Sequence, residues 1–437
     1  MSGAVAAHAA YNGSGTQGLA VTNKIQDQEG DVMSVFWNKN DTTRQLLHGS
    51  TILEVPASGG SGNSSNWGST QIFDINNDID CLGDMYLEVQ IETNADPSAS
   101  DDTIFNAQQI AEAINRVEFQ VGTQIWQTLE YQDIMGLAST EMSEGAYREF
   151  SNQTSGRYTS NGKPMNNAQF IAATPSAPLK FKDNDPIAAD SARIAYIPLK
   201  MFTKSINPEL QHFSEKSEGG YLMAAAPNQQ VKIKVYTAAA FSPVSGVSAD
   251  LNIRLFAKNI VMCNEEREQM KAMPLGIPKR IKTTQNANTN IANHQGGAQV
   301  QLLDIDHFSL YASHLLITFP KIFYSNILNV ELLLNSSSFS GELPVSLLEI
   351  ISSSMNLYNN NYIVNGEDAD RFDTIVFPLA SRAYSGSSVP LNRFDNIRLK
   401  IRHTATITSS ASGQFNITCV GETTALYKGG AASLAMY

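Results

Sequence analysis

Cysteine is scarce: three residues in 437, Cys81, Cys263 and Cys419. Their wide spacing and odd number exclude the disulfide framework that staples small secreted domains. Long apolar runs are missing too, and nothing approaches the roughly 18 residues that a membrane-spanning helix needs. The opening Met1-Ser-Gly-Ala-Val-Ala-Ala-His8 has neither the positive n-region nor the apolar core of a secretory signal. Glycine at position 3, not 2, removes the myristoylation pattern. A soluble chain made inside the cell is expected. Basic charge is also short, with 30 Lys and Arg against 42 Asp and Glu for a net charge of -12. Lys24 is the only Lys or Arg before Lys39, so no basic arm exists to neutralise phosphates, and direct nucleic-acid binding is excluded. The three tryptophans, Trp37, Trp67 and Trp126, are too few for the stacking platforms of a carbohydrate binder. Seven scattered histidines form no His-x-His or helical pair, which removes the metal centre of a two-domain cupin.

Motifs that carry chemistry are equally absent. Gly13-Ser-Gly-Thr-Gln-Gly18 matches the dinucleotide fingerprint as a string, yet no strand precedes it and no helical pattern follows. Asp74-Ile-Asn-Asn-Asp78 opens like a calcium loop, but Ile79 replaces the turn glycine and Met85 stands where the bidentate acid belongs. Gly-x-Ser-x-Gly occurs nowhere, and no pair of acids is singled out for glycoside hydrolysis. No catalytic, cofactor-binding or metal-binding residue is predicted, and no cofactor is implied. Asn-x-Ser/Thr sequons at Asn12, Asn40, Asn63, Asn152, Asn335 and Asn416 are what chance gives in a chain this rich in Asn, Ser and Thr. His307 and His314 read as structural, and Cys419 as a small core residue.

What is present is a long series of short strands. Charged residues are only 16% of the chain, and polar loops alternate with β-branched runs, the pattern of an all-β protein. Residues 1–30 are small, polar and aperiodic, an extended arm ordered by neighbours. Strands are predicted at Ser50–Val55, Thr70–Ile75 and Met85–Glu92, with a turn near Gly83. Asn115–Ile125 reads as a hairpin turning at Gly122-Thr123. Thr128–Ser139 reads as a short helix, and Ser151–Asp190 as a long functional loop or exposed tower. Ile194–Met201, Val231–Tyr236 and Leu251–Val261 complete the first series. After a break come Ala298–Ile305, His314–Phe319, Ile327–Leu334, Ser354–Val364, Thr374–Leu379, Ile397–Arg402 and Phe415–Val420.

The break itself organises the chain. In Leu251–Lys258 apolar and polar residues alternate, as on a half-buried strand. Asn264 then caps a helix whose first turn holds Glu265, Glu266 and Glu268 at the positive end of the macrodipole. Pro274, Gly276 and Pro278 stop it, and Ile281 starts a new extended run. Three pairs of segments recur in the same order on either side: Ile197-Pro-Leu199 with Phe377-Pro-Leu379, Val231-Lys-Ile-Lys-Val-Tyr236 with Ile397-Arg-Leu-Lys-Ile-Arg402, and Leu251-Asn-Ile-Arg-Leu255 with Phe415-Asn-Ile-Thr-Cys419. Three echoes in register argue for a duplicated unit. About eight short strands per half, with uneven loops, fit a jelly roll better than a propeller. The expected organisation is an arm (1–30), a first jelly roll (31–262) with a long insertion at 127–193, a linker helix (263–278) and a second jelly roll (279–437).

These features together resemble the double jelly-roll major capsid proteins of the nucleocytoplasmic large DNA viruses, of the algal-virus and iridovirus type. Asn264, Glu265, Glu266 and Arg267 resemble the family's acidic/Arg linker. Val364-Asn-Gly-Glu-Asp-Ala-Asp-Arg-Phe372, with Asn365, Gly366 and Arg371, is similar to its Asn-Gly hairpin leading to an Arg. Arg393-Phe-Asp-Asn396, including Asp395, resembles its Arg-hydrophobic-Asp-Asn segment before a strand. Tyr196-Ile-Pro-Leu199 resembles the start of its apolar strand before a long loop, although Lys200-Met-Phe-Thr-Lys204 is more polar than the family pattern.

The resemblance implies two consecutive eight-stranded jelly-roll β-sandwiches joined by a short helical linker, and a non-enzymatic shell protein. It implies homotrimeric, pseudo-hexagonal capsomers in the icosahedral shell of a large double-stranded DNA virus. The implied partners are the chain itself, neighbouring capsomers, minor capsid proteins and an internal membrane beneath the shell, and the implied location is the virion. Two other readings stand beside it: a scaffold or minor capsid protein of the same fold, and a two-jelly-roll carbohydrate-binding protein or glycosidase.

Overall fold

The computed structural model describes residues 49–61, 66–75, 78–93, 113–147, 150, 192–202, 220–239, 249–261, 267–268, 277–290, 299–320, 326–355, 357–358, 360, 372–381, 383, 388–404 and 414–434. The expected arm at 1–30 and the tower at 151–190 lie outside the described residues, as do Cys263, Asn264, Glu265, Glu266, Asn365, Gly366 and Arg371.

Alternation of apolar and polar residues builds four antiparallel sheets. In one, β1 (Gly49–Val55), β10 (Ala249–Val261), β4 (Cys81–Thr93) and β7 (Ala192–Leu199) lie side by side in that order. Facing it are β2 (Ala57–Ser61), β3 (Thr70–Ile75), β9 (Val231–Thr237), β5 (Ile114–Val121) and β6 (Gln124–Glu130), while β8 (Tyr221–Leu222) pairs with β4. The second half repeats this. A sheet of β11 (Ile277–Asn290), β20 (Gln414–Lys428), β13 (Tyr311–Pro320) and β17 (Phe372–Pro378) faces one of β12 (Gln299–Asp304), β19 (Ile397–His403), β14 (Ile327–Leu334) and β15 (Ser337–Ser338). Short β16 (Leu343–Pro344) continues the edge beside β14, β18 (Val389–Pro390) joins β13, and β21 (Ala431–Leu434) folds back on β20. Leaving out the short β2 and β8, the first half has its first, last, third and sixth strands in one sheet and the second, seventh, fourth and fifth in the other. The second half has the same order, which is that of a jelly roll.

The three sequence echoes fall on β7/β17, β9/β19 and β10/β20, strands that occupy equivalent places in the two halves. Val231, Ile233 and Val235 point inward from β9 as Ile397, Leu399 and Ile401 do from β19, all fully buried. A fourth echo escaped the sequence reading: β5 and β14 share the same alternation of buried and exposed positions along their length.

Several expectations are corrected. Gly83 makes no turn; it lies within β4, where the register against β10 slips between Ala257 and Asn259, and a bulge needs the small residue. The short helix starts at Tyr131, not Thr128, because Thr128 and Leu129 are still paired in β6. Residues 127–141 are therefore the end of β6 and helix α1 (Tyr131–Glu141), not the start of an insertion. The strand expected at Ser354–Val364 is absent from its described part; instead Val345–Ser354 is helix α2. There the i, i+3 spacing of Val345, Leu348 and Ile351 outweighs local β propensity. Of the linker, residues 267–268 are helical, and β11 opens at Ile277 with Pro278 inside it, which an edge strand tolerates.

Candidate functional site: the seam between the sandwiches

The sheet β11-β20-β13-β17 is covered on both faces. From β13, Leu315, Ile317 and Phe319 enter the core of the second sandwich. Leu316, Val376 and Val420 point the other way, into a core shared with the whole first sandwich, which Ile281 and Tyr427 also join at the end of the sheet. Two lobes joined by one continuous apolar cluster cannot swing independently without exposing it. The C-terminal hairpin strengthens the join. The rings of Phe119, Trp126, Tyr221 and Tyr427 meet edge-on in series, with centroids 5.3–6.3 Å apart. The amide of Leu222 donates to the Tyr427 hydroxyl at 3.2 Å, and the amide of Asn228 donates to the Gly430 carbonyl at 2.9 Å.

Helix α1 is the element pressed into this seam. Its first turn is set by Asp133, whose Oδ2 accepts the backbone N–H of Glu130 at 2.8 Å, satisfying a donor left over at the helix start. The same oxygen accepts Asn286 Nδ2 of β11 at 2.9 Å. Its Oδ1 accepts Asn416 Nδ2 at 2.9 Å and Thr418 Oγ1 at 2.6 Å, both on β20. Burial pushes the Asp133 carboxyl up to about 6, against the pull of Thr418, the Glu130 amide and Asn416. One turn on, Gly136 lets the helix reach the sheet: a Cβ there would lie 2.5 Å from Thr318 Oγ1 of β13.

At the far end of α1, Glu141 meets Lys282 of β11, with both carboxylate oxygens 2.6 Å from Nζ and both side chains wholly buried. The third ammonium proton goes to the Lys200 carbonyl at 2.8 Å. Burial holds Lys282 below the ordinary lysine range, with Glu141 opposing. Beside it, fully buried His314 is pushed down to about 3, by burial first and by Lys282 second. The helix's last carbonyls are also met from the second sandwich: Tyr358 N donates to Thr140 O at 2.9 Å and Asn360 Nδ2 to Met142 O at 2.8 Å. A buried polar lattice of this kind holds one relative orientation, because any other leaves charges and donors unmatched.

The residues singled out from sequence fall elsewhere. Arg267 Nη2 lies 2.7 Å from Asp80 Oδ2, tying the linker to the first sandwich. Asp395 and Asn396 donate backbone N–H bonds, 3.0 and 3.2 Å long, to Asn335 Oδ1 in the tight turn between β14 and β15. Both Asn335 and Ser336 have positive φ there, so the segment after exposed Arg393 is a clasp within the second sandwich. The sequon at Asn416 is closed by its burial against Asp133. Among the described residues no group of His, Cys, Asp and Glu large enough to hold a metal ion is brought together. Sequence reasoning missed the seam. Nothing local marked it, because Lys282 follows Lys279 and Arg280 in the same strand and its partner lies 141 residues away.

No protein-family profile and no curated protein sequence matches the chain. Solved structures do. VP54 of PBCV-1, as fitted into a reconstruction of the virophage Sputnik, aligns over 89% of this chain and 97% of its own with TM-score 0.62 and 12% identity. The quasi-atomic PBCV-1 capsid aligns over the same shares with TM-score 0.61 and 13% identity. The Faustovirus major capsid protein aligns over 96% of this chain and all of its own, with TM-score 0.55 and 11% identity. This chain is a double jelly roll. The likeness spans both sandwiches of the double jelly roll, and at these identities it is a likeness of fold.

Proposed function

We propose that this double jelly roll is a major capsid protein, building the icosahedral outer shell of a large double-stranded DNA virus from pseudo-hexagonal homotrimers. The observation that carries the reading is the locked seam between two sandwiches of identical strand order. A shell tile needs two similar lobes held at one angle, so that three chains present six similar corners. The near full-length similarity to capsid proteins of PBCV-1 and Faustovirus supports it. The role is structural, the location is the virion, and the partners are copies of this chain and minor capsid proteins. The inter-domain segment around Arg267 fixes the first lobe to the linker, while Arg393, Asp395 and Asn396 shape the second.

The test is the solution mass of the purified chain by light scattering coupled to size exclusion, followed by electron microscopy of concentrated material. A species three times the 47.6 kDa chain mass, resistant to dilution and three-fold in projection, is expected, since obligate interfaces seldom dissociate at working concentration. A monodisperse monomer that never forms rings would refute the reading.

A further inference from the structure

Because the sandwiches share one strand order, each surface of one has a counterpart in the other that register identifies. Val117-Glu-Phe119 of β5 corresponds to Val330-Glu-Leu332 of β14, so Arg116 corresponds to Asn329. Arg116 pairs with Glu130 and Asn329 with Pro344, the residues immediately before α1 and α2. The helices are therefore in register, with Asp133 at the place of Leu347, Ile134 at that of Leu348, and Gly136 at that of Ile350. Ile134 and Leu348 both point inward and are buried. Asp133 and Gly136 form the face that docks α1 on the second sandwich. At the same two places α2 carries Leu347 and Ile350, 40% and 69% exposed.

The sheet that would receive such a helix can be found in the same way. The echoes of β10 with β20 and of β7 with β17 set Asn252 against Asn416, Arg254 against Thr418 and Tyr196 against Val376. In the second sandwich Asn416, Thr418 and Val376 are buried beneath the first. In the first sandwich Asn252 and Tyr196 are exposed and Arg254 is partly so. There the rings of Tyr196 and Phe256 lie 6.4 Å apart, with the Arg254 guanidinium 5.6 Å from the Phe256 centroid. Among the described residues each chain thus makes one helix-on-sheet contact of this kind and leaves both halves of a second one exposed.

We infer that α2 of one copy seats Leu347 and Ile350 on the Tyr196–Arg254–Phe256 face of a second copy of this chain, repeating between copies the α1 contact made within one. The apolar pair meets the rings of Tyr196 and Phe256 beside Arg254, whose charge is already paired with Glu88 and Glu54 of its own chain, instead of the polar lattice around Asp133. Because the two surfaces differ, the contact is head-to-tail, which yields a closed ring when the rotation closes. The inference rests on the ring-forming reading above and names the surface that forms the ring.

Three full-length proteins test it: wild type, Leu347→Asp/Ile350→Asp, and Leu347→Cys/Asn252→Cys with its two single-cysteine controls. Light scattering over a dilution series should show the wild-type trimer, and the aspartate variant should need an about 100-fold higher concentration to assemble. Its circular dichroism and monomer melting should be unchanged, since both positions are exposed. Oxidised double-cysteine protein should run as a covalent trimer on a non-reducing gel, and neither single variant should. A wild-type trimer with an equally stable aspartate variant and no cross-link would overturn this surface while leaving the capsomer reading intact. A wild type that stays monomeric would overturn the capsomer reading, and this inference with it.

Discussion

Replacing Glu141 by glutamine probes the seam at its most demanding point. The Lys282 ammonium would keep the Lys200 carbonyl but face a neutral amide in place of the carboxylate that now accepts two of its protons. Breaking a buried pair by removing one partner costs about 3–5 kcal/mol. The loss has a ceiling, because the lysine can shed its proton. Doing so at pH 7 from an amine whose ordinary value is 10.5 costs about 5 kcal/mol at roughly 1.4 kcal/mol per pH unit. With the folded-state value depressed, the unfolded chain binds a proton that the folded chain lacks. Stability of the variant should therefore rise with pH, by about 1.4 kcal/mol per unit up to the ordinary lysine value. Replacing both partners, Glu141→Leu with Lys282→Met, should return stability to within about 2 kcal/mol of wild type. Urea unfolding from pH 6 to 10, read as a double-mutant cycle, measures all three. A loss below about 1 kcal/mol, or one independent of pH, would mean that water reaches the pair and that the seam is not closed.

Gly136→Ala should destabilise by about 1–3 kcal/mol despite alanine's better helix propensity, because the new methyl meets Thr318 Oγ1 at 2.5 Å. Thr318→Ala in the same chain should recover most of that loss in thermal melting, and no recovery would place the strain elsewhere. Asp133, raised to about 6 from 3.8, keeps its proton in the folded state through that window, so its contribution falls as pH rises. The stability of wild type relative to Asp133→Asn should drop by about 2.4 kcal/mol between pH 4 and 7, and a flat difference would contradict the assignment. Leu399→Asp puts a carboxylate at a fully buried position of β19 and should abolish folding at a cost of several kcal/mol. Soluble, folded protein would mean that the inward face of that strand is misassigned.

The duplication was legible in the sequence because strands at equivalent places bury the same faces, so β7, β9 and β10 and their partners β17, β19 and β20 kept matching patterns. The Gly122-Thr123 hairpin was legible as well, since only a residue that takes positive φ at no cost suits its first turn position. Local pattern failed where tertiary contacts competed with it. Gly83 marks a bulge that depends on the partner strand, and α2 forms in a segment followed by an apparent strand.

The sequence by itself determined the fold class and the alternation of the strands in the three repeated pairs, because which residues face a core is written in a period of two. It could not show that the outer face of the β11-β20-β13-β17 sheet is buried as well. That face carries Lys282, Thr284, Asn286, Thr318, Asn416 and Thr418, which read as solvent-facing until α1 supplies Asp133 and Glu141 from more than a hundred residues away. Only the tertiary structure decided this, because a polar residue is content in water or opposite a matched partner, and the choice between them belongs to the partner.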